Sequence, residues 1–289
     1  MAGQEQILTV DGHDIRLTNL DKIMYPATGT TKGDVLSYYV QVTELLIKHS
    51  QHRPATRKRW PDGVGAGSFF EKNLPSHAPE WMPAVELQHH KRVVKYPLIN
   101  DQATLLWLVQ GAALELHVPQ WQYDIGTRTR CSPDRLVIDL DPGPGSGLAE
   151  CCDVALAVRD MLATDGLDKT FAVTSGSKGM QLYSSLREHG PQDSNKYARE
   201  LAVRLTESMP DKVLYNMSRA ERTGKVFLDW SQNNPSKTTI APYSMRGREH
   251  PNVAAPRTWA EIESRDIVQL SYQEVLNRIA DQPDPLELD

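Results

Sequence analysis

The chain has 289 residues, enough for a substantial core in one large domain or two smaller ones, with 39% hydrophobic and 24% charged residues. That composition excludes a membrane protein or a disordered tail, and the net charge of −5 excludes a generic polyanion binder. The first residues carry no signal-peptide core, and three cysteines, with Cys151 and Cys152 adjacent, make neither a disulfide framework nor a zinc motif. A cytoplasmic, reducing home without membrane contact is expected. The basic residues are nevertheless clustered: His52-Arg53 with Arg57-Lys58-Arg59, His89-His90-Lys91-Arg92 with Lys95, and Arg219, Arg222 with Lys225.

In chain order, residues 7–17 read as a hairpin turning at Asp11-Gly12. Gly29-Thr30-Thr31-Lys32 lacks the spacing of a phosphate loop, and that reading is rejected. A helix is predicted from Lys32 to about His49, with Val35, Tyr39, Val42, Leu45 and Leu46 on one stripe. Thr56–Trp60 alternates as a strand, with Arg57 and Arg59 on one face and Lys58 on the other. Phe69 and Phe70 follow a glycine-rich turn. Core packing is the usual use of such a pair, and stacking on a nucleobase beside cations is the sharper alternative. Asp101 caps a helix reaching the 111–114 region, and the strand 114–119 puts Glu115 and His117 on one face.

Arg135 to Gly143 alternates as a strand buried on one side, so Asp139 and Asp141 share a face just before Pro142-Gly143. Two carboxylates that close repel unless a cation sits between them, and oxygen-only ligation suits Mg²⁺ or Mn²⁺. By itself, D-x-D more often describes two solvated acids at a strand end. A helix over 148–165 closes at Gly166, strands cover 170–174 and 180–183, and Ser175-Gly176-Ser177-Lys178-Gly179 between them suits a phosphate chain. Asp193 caps a helix to about Met209, and Lys225–Trp230 is a strand with Asp229 near its end. Lys237 and Arg246 are further isolated cations. Residues 271–281 form a last helix, followed by an acidic, proline-containing tail that reads as a domain edge or linker. Three strand-end aspartates, a cationic Ser/Gly loop and separate cations favour nucleotidyl transfer over hydrolysis, which needs no triphosphate cradle.

Several of these stretches carry a family resemblance. Val137-Ile138-Asp139-Leu140-Asp141-Pro142-Gly143, Thr174-Ser175-Gly176-Ser177-Lys178-Gly179 and Phe227-Leu228-Asp229-Trp230-Ser231-Gln232 closely resemble the polymerase domain of bacterial ligase D. So do Pro54–Pro61, Leu116–Trp121 and Lys237–Ser244, in the family's order from about residue 7 to 280, closest to actinobacterial members. This is the archaeo-eukaryotic primase-like family used in non-homologous end joining. The resemblance implies an α/β (α+β) primase-like polymerase fold: mostly antiparallel sheets flanked by helices around an RRM-like catalytic module. It implies a single domain over 1–289, with 1–130 contacting DNA, 131–250 as catalytic core and 251–289 as C-terminal helix and tail.

The resemblance also implies roles. Asp139, Asp141 and Asp229 would be the catalytic triad holding two manganese or magnesium ions. His117, Ser175, Lys178, Lys237 and Arg246 would bind the incoming NTP or dNTP, chiefly its triphosphate. Asn19, Lys22 and Lys32 would hold a DNA 5′-phosphate. Lys58 would lie near that DNA, Phe69 and Phe70 would stack on the template, and Arg222 would position template and nucleotide. The implied activity is primer extension on gapped or broken, 5′-phosphorylated DNA with ribonucleotides preferred, at the nucleoid, with Ku and a ligase domain as candidate partners. The rival readings are a metal-dependent phosphohydrolase using the same acids and a non-catalytic end-binding module. One departure stands out: Gln181 occupies a position where the family carries histidine, and an uncharged amide is a weaker phosphate or metal-site partner.

Overall fold

Residues 5–89, 91–187, 190–216 and 220–288 are described by the structure, a computed structural model. His90 and Arg219 of the basic clusters lie outside them. The chain starts with the hairpin β1 (Gln6–Val10) and β2 (His13–Leu17), whose turn residues Asp11 and Gly12 both have left-handed φ of 50° and 77°. After β3 (Ile23–Tyr25) and β4 (Thr30–Thr31), the stripe beginning at Val35 forms two helices, α1 (Lys32–Gln41) and α2 (Thr43–Ser50). A single helix was expected. The break falls at two β-branched residues, where the Thr43 hydroxyl donates to the Tyr39 carbonyl at 2.7 Å, while Val42 and Leu46 stay buried across it.

Next come β5 (Thr56–Arg59), β6 (Phe69–Glu71), the hairpin β7 (Ala84–Gln88) and β8 (Val93–Pro97), and α3 (Gln102–Gln110), capped by Asp101 as expected. Strand β9 (Ala113–Val118) is followed by a hairpin, β10 (Trp121–Asp124) and β11 (Thr129–Pro133). Strand β12 (Arg135–Pro142) leads to α4 (Leu148–Thr164), β13 (Thr170–Thr174), β14 (Met180–Ser185) and α5 (Ser194–Ser208). The remainder comprises β15 (Val213–Leu214), β16 (Val226–Asp229), β17 (Thr239–Ile240), β18 (Ala255–Arg257), α6 (Trp259–Ser264) and α7 (Tyr272–Asp281). No helix among the described residues is long and apolar enough to cross a membrane.

Two sheets carry candidate site residues. The six-stranded one has the order β15-β16-β12-β14-β13-β18 and is antiparallel except for the β15–β16 pair. Leu136, Ile138 and Leu140 of its central strand β12 pack on one face against Val154, Val158 and Leu162 of α4 and Leu201 and Leu205 of α5. Val137, on the other face, joins Val173, Tyr183 and Ile240. Asp139 and Asp141 continue that second face past its apolar end. The four-stranded sheet, β17-β9-β5-β6, packs its reverse side on α1–α3. The 239–257 segment joins both sheets, because β17 pairs with β9 and β18 with β13.

The tail is not a free linker. Leu286 and Leu288 are buried with Val137 and Tyr183, on the face of β12 that Asp139 and Asp141 continue. Asp284 accepts hydrogen bonds from Tyr243 Oη at 2.6 Å and meets His49 Nε2 at 2.9 Å. Burial alone would raise the Asp284 carboxyl, but His49 and Tyr243 outweigh it and hold it below its ordinary range. Burial keeps His49 below the usual imidazole value. Both shifts place more protons on the unfolded chain, so stability falls as pH drops, from about 6.5 downward for His49 and from about 4 downward for Asp284. Leu286→Ala is expected to cost about 2–5 kcal/mol, read as a lower urea midpoint at unchanged slope. Asp284→Asn is expected to flatten the acid limb of the same measurement below about pH 4.

Candidate active site

Strand pairing, more than any local motif, assembles the acids. Asp139 of β12 lies opposite Gln181 of β14 on one side and Asp229 of β16 on the other, one cross-strand row; Asp141 follows one repeat along, opposite Phe227. Gln181 Nε2 donates to Asp139 Oδ1 at 3.2 Å, and Tyr183 Oη, at 3.1 Å from Gln181 Oε1, orients the amide. Gln232 Nε2 donates to Asp229 Oδ2 at 3.0 Å and reaches Asp139 Oδ2 at 3.5 Å. The other Asp229 oxygen accepts from the Ser231 backbone at 3.0 Å and from the Ser231 hydroxyl. Lys237 Nζ sits 3.6 Å from Asp229 and also donates to Ser231.

Burial, then the charge of Asp141, raises the Asp139 carboxyl well above its ordinary range; burial, then Asp229, raises Asp141. Among the described residues neither has an ion-pair partner, and no three such groups are drawn to metal-ligating spacing. The three expected ligands thus share one face, with the Gln232 amide between Asp139 and Asp229 and the Lys237 ammonium beside Asp229. Hard oxygens of this kind, unpaired at Asp139 and Asp141, fit a divalent cation.

Above the acids lies the 175–179 turn. Its ends close through Ser175 N–H to the Gly179 carbonyl at 3.0 Å. Gln269 braces it, accepting from Gly176 N–H at 2.7 Å and donating to the Gly179 carbonyl at 2.9 Å. A Cβ on Gly179 would lie 1.9 Å from the Leu140 carbonyl, so only glycine lets this turn seat on the Asp139–Asp141 strand. Lys178 is exposed. Arg246 Nε donates to the Ser175 carbonyl at 2.8 Å, and its Nη1 lies 3.3 Å from Glu115.

Glu115 is the hub of this side. It also accepts from Gly247 N–H at 3.1 Å and meets His117 Nε2 at 2.8 Å. Burial would raise its carboxyl, yet His117 and Arg246 bring it down to about 2. Burial lowers His117, which is therefore neutral near pH 7, with Nε2–H assigned toward Glu115 by the network and Nδ1 left as acceptor.

Lys58, Glu115 and Phe70 form the neighbouring row, with Lys58 Nζ 5.3 Å from the Phe70 centroid and Phe70 edge-on to His117 at 5.5 Å. Phe70 is 59% exposed, which removes core packing as its use. Phe69 points to the reverse face, under Arg59. The phenylalanine pair is therefore split between two surfaces. Arg222 lies 3.7 Å above the Phe227 ring and lowers the Asp141 carboxyl by its charge.

Asn19, Lys22 and Lys32 come together as a separate group at the start of α1. Asn19 turns the chain with φ of 56°, its carbonyl accepts from Lys22 N–H at 3.0 Å, and the Lys22 carbonyl accepts from Lys32 N–H at 2.8 Å. Burial, then Lys22, lowers Lys32 to about 8, and its Nζ donates to the Thr18 carbonyl at 2.9 Å. Lys22 pairs with exposed Asp62 at 2.9 Å. Glu115, Gln232 and Gln269 were missed as site residues. The i, i+2 spacing of Glu115 and His117 was the available signal for the first; Gln269 arrives from a distant loop and carries none.

A family model described as "LigD, primase-polymerase domain" matches residues 31–286. The chain is 51% identical over 278 residues to the "Multifunctional non-homologous end joining DNA repair protein LigD" of Mycobacterium tuberculosis, covering 94% of this chain and 36% of that one. Against the "Bifunctional non-homologous end joining protein LigD" of Bacillus subtilis it is 32% identical, covering 94% and 43%. The chain thus spans well under half the length of these relatives. A solved structure titled "Polymerase Domain from Mycobacterium tuberculosis Ligase D in complex with DNA" superposes with a TM-score of 0.90 at 51% identity, covering 94% of this chain and 96% of that one.

Removing the hub leaves Arg246 and His117 without their common carboxylate. Glu115→Ala is expected to cost about 3–5 kcal/mol, measured by chemical denaturation near neutral pH.

Proposed function

The chain belongs to the LigD primase-polymerase domain family, and from that premise we propose that it is a template-dependent nucleotidyltransferase acting on gapped or broken DNA. The setting is non-homologous end joining or gap-filling repair. The carrying observation is the row Gln181, Asp139 and Asp229 with Asp141 beside it: three acids on one face, Asp139 and Asp141 without an ion-pair partner among the described residues, beside a turn and cations suited to a triphosphate.

Asp139, Asp141 and Asp229 would hold two manganese or magnesium ions. Bound there, such ions would offset the charge that develops at the α-phosphate. The reaction is in-line attack of the primer 3′-oxygen on that phosphate, with pyrophosphate leaving. Gln181 keeps the Asp139 oxygens oriented, a task an amide performs without a charge. Arg246, anchored by Glu115 and the Ser175 carbonyl, offers its remaining N–H groups to the triphosphate, with Lys178 and the Ser175 hydroxyl alongside. Lys237 exchanges Asp229 for a phosphate oxygen as nucleotide arrives. His117 Nδ1 accepts a hydrogen bond from a sugar hydroxyl, a contact that suits a ribonucleotide preference. Phe70 and Lys58 receive the template, Phe69 contacts nucleic acid on the reverse face, and Arg222 positions template and nucleotide. Asn19, Lys22 and Lys32 take the 5′-phosphate of the downstream strand. DNA is the partner, with Ku and a ligase domain as further ones.

Asp139→Ala or Asp229→Ala is expected to abolish primer extension in Mn²⁺ while leaving binding of 5′-phosphorylated gapped DNA within about threefold. Extension that persists in either variant rejects the catalytic assignment, and degradation of labelled duplex without nucleotide supports a phosphohydrolase instead. Lys22→Ala is expected to erase the affinity difference between phosphorylated and unphosphorylated gaps in a titration by fluorescence anisotropy. Undiminished discrimination there counts against the lysine pocket.

A further inference from the structure

Two neighbouring rows on one face of the six-stranded sheet carry Asp139 and its support. Gln181 of β14 stands opposite Asp139, and one repeat along the same strand Tyr183 stands opposite Val137. Tyr183 is fully buried, and its hydroxyl lies 3.1 Å from both Gln181 Oε1 and the Ile240 carbonyl. A phenol has one proton to give, so these two acceptors share it. The same amide donates its Nε2–H to Asp139 Oδ1 at 3.2 Å. The phenol therefore decides which end of the amide faces the acid, because Tyr183 occupies Oε1 and leaves only the donor end for Asp139. A reversed amide would set its oxygen against the carboxylate.

What holds Tyr183 comes from the far end of the chain. Leu286 and Leu288 complete the apolar cluster of Val137, Val173, Tyr183 and Ile240. Asp284 fixes these leucines in place. Its Oδ1 accepts from the Leu286 N–H at 3.0 Å and from Tyr243 Oη at 2.6 Å, and its Oδ2 meets His49 Nε2 at 2.9 Å. The His49 carbonyl in turn accepts from Arg135 Nη1 at 2.9 Å, and the Arg135 guanidinium lies 5.3 Å from the centroid of the Tyr183 ring. Tail and cation are thus joined through His49 and bear on the same phenol.

On the reading of Asp139 as a metal ligand, on which this rests, we infer that residues 284–288 are a positioning element for the reaction, acting on Asp139 through Tyr183 and Gln181. Seated, the tail keeps the Tyr183 hydroxyl on Gln181 and the Asp139 oxygens turned as a divalent ion needs them. Unseated, the cluster loses both leucines, the phenol gives its proton to Ile240 alone, and Asp139 loses an oriented amide. Groups that orient metal-ligating carboxylates commonly carry about 10–100-fold in metal affinity or activity. None of these residues is asked to touch nucleotide or DNA, so the effect falls on metal binding and turnover and not on the nucleotide KM.

Two measurements on the full chain test this role: Mn²⁺ affinity by EPR titration without DNA or nucleotide, and primer extension with kcat and KM separated. Tyr183→Phe keeps the ring and removes only the hydroxyl. It is expected to weaken Mn²⁺ binding about threefold or more and lower kcat about tenfold, with the nucleotide KM within about twofold. Gln181→Leu is expected to do the same, and the double variant no more than either, because both break one chain of contacts. Leu286→Ala is expected to weaken Mn²⁺ binding in the wild-type background and to change nothing further in the Gln181→Leu background. Val42→Ala, buried in the separate cluster over α1 and α2, controls for lost stability and is expected to leave Mn²⁺ affinity unchanged. Should Leu286→Ala misfold, Asp284→Asn takes its place, loosening the tail while keeping its leucines. Additive losses for the tail variant and Gln181→Leu overturn the positioning role, as does unchanged Mn²⁺ affinity in folded Tyr183→Phe or a loss confined to KM. A wild-type chain that neither binds Mn²⁺ nor extends primers sinks the carboxylate reading itself. A wild-type chain that does both, with variants that match it, sinks only the role of the tail.

Discussion

Everything in this molecule is arranged around charge that it does not neutralise itself. Asp139 and Asp141 stand at the end of a strand whose earlier residues are fully buried, and Asp229 is brought against them by pairing. Burial and mutual repulsion both work against ionisation there, so the acids carry a standing electrostatic cost in the protein alone. A fold keeps such an arrangement only if the rest of the structure over-determines it. Helices α4 and α5 clamp one face of β12, the tail residues Leu286 and Leu288 clamp the other, and Gly179 lets the 175–179 turn rest directly on its backbone.

The positive side is built differently. Here Glu115 collects His117, Arg246 and Gly247, so the two side chains proposed to meet the nucleotide owe their positions to one buried carboxylate. The 239–257 segment carries Arg246 while pairing with a strand in each sheet. Acids from one sheet and cations from between the two are thereby fixed relative to each other. Neutral His117 and uncharged Gln181 show the same economy: charge is reserved for positions that would face metal or phosphate, and orientation is left to amides and an imidazole.

Much of this was legible in the residues. Strand alternation placed Asp139 with Asp141, Glu115 with His117, and Lys58 away from Arg57 and Arg59, because a side-chain period of two needs no tertiary information. Caps at Asp101 and Asp193 were equally local. The helix beginning at Lys32 was misjudged because the stripe of apolar residues runs on through a backbone break at Val42, and periodicity reports the buried face, not the hydrogen bonds beneath it. Of the two readings of the tail, domain edge or linker, a free linker does not hold, because its acidic and proline content hides two leucines that pack against Val137 and Tyr183, far back in the chain.

The sequence by itself determined the local chemistry: which side chains share a strand face, where turns need glycine, and that hard oxygen donors and isolated cations belong to one family pattern. Tertiary structure decided which of them meet. Asp229 joins Asp139 only through the β12–β16 register, Gln181 contacts it only because β14 pairs on the opposite edge, and Phe69 is separated from Phe70 by the pleat of an exposed strand. Those outcomes depend on non-local hydrogen-bond pairing and on which faces become buried. Both are properties of the packed whole, because no short window of residues contains the partner that settles them.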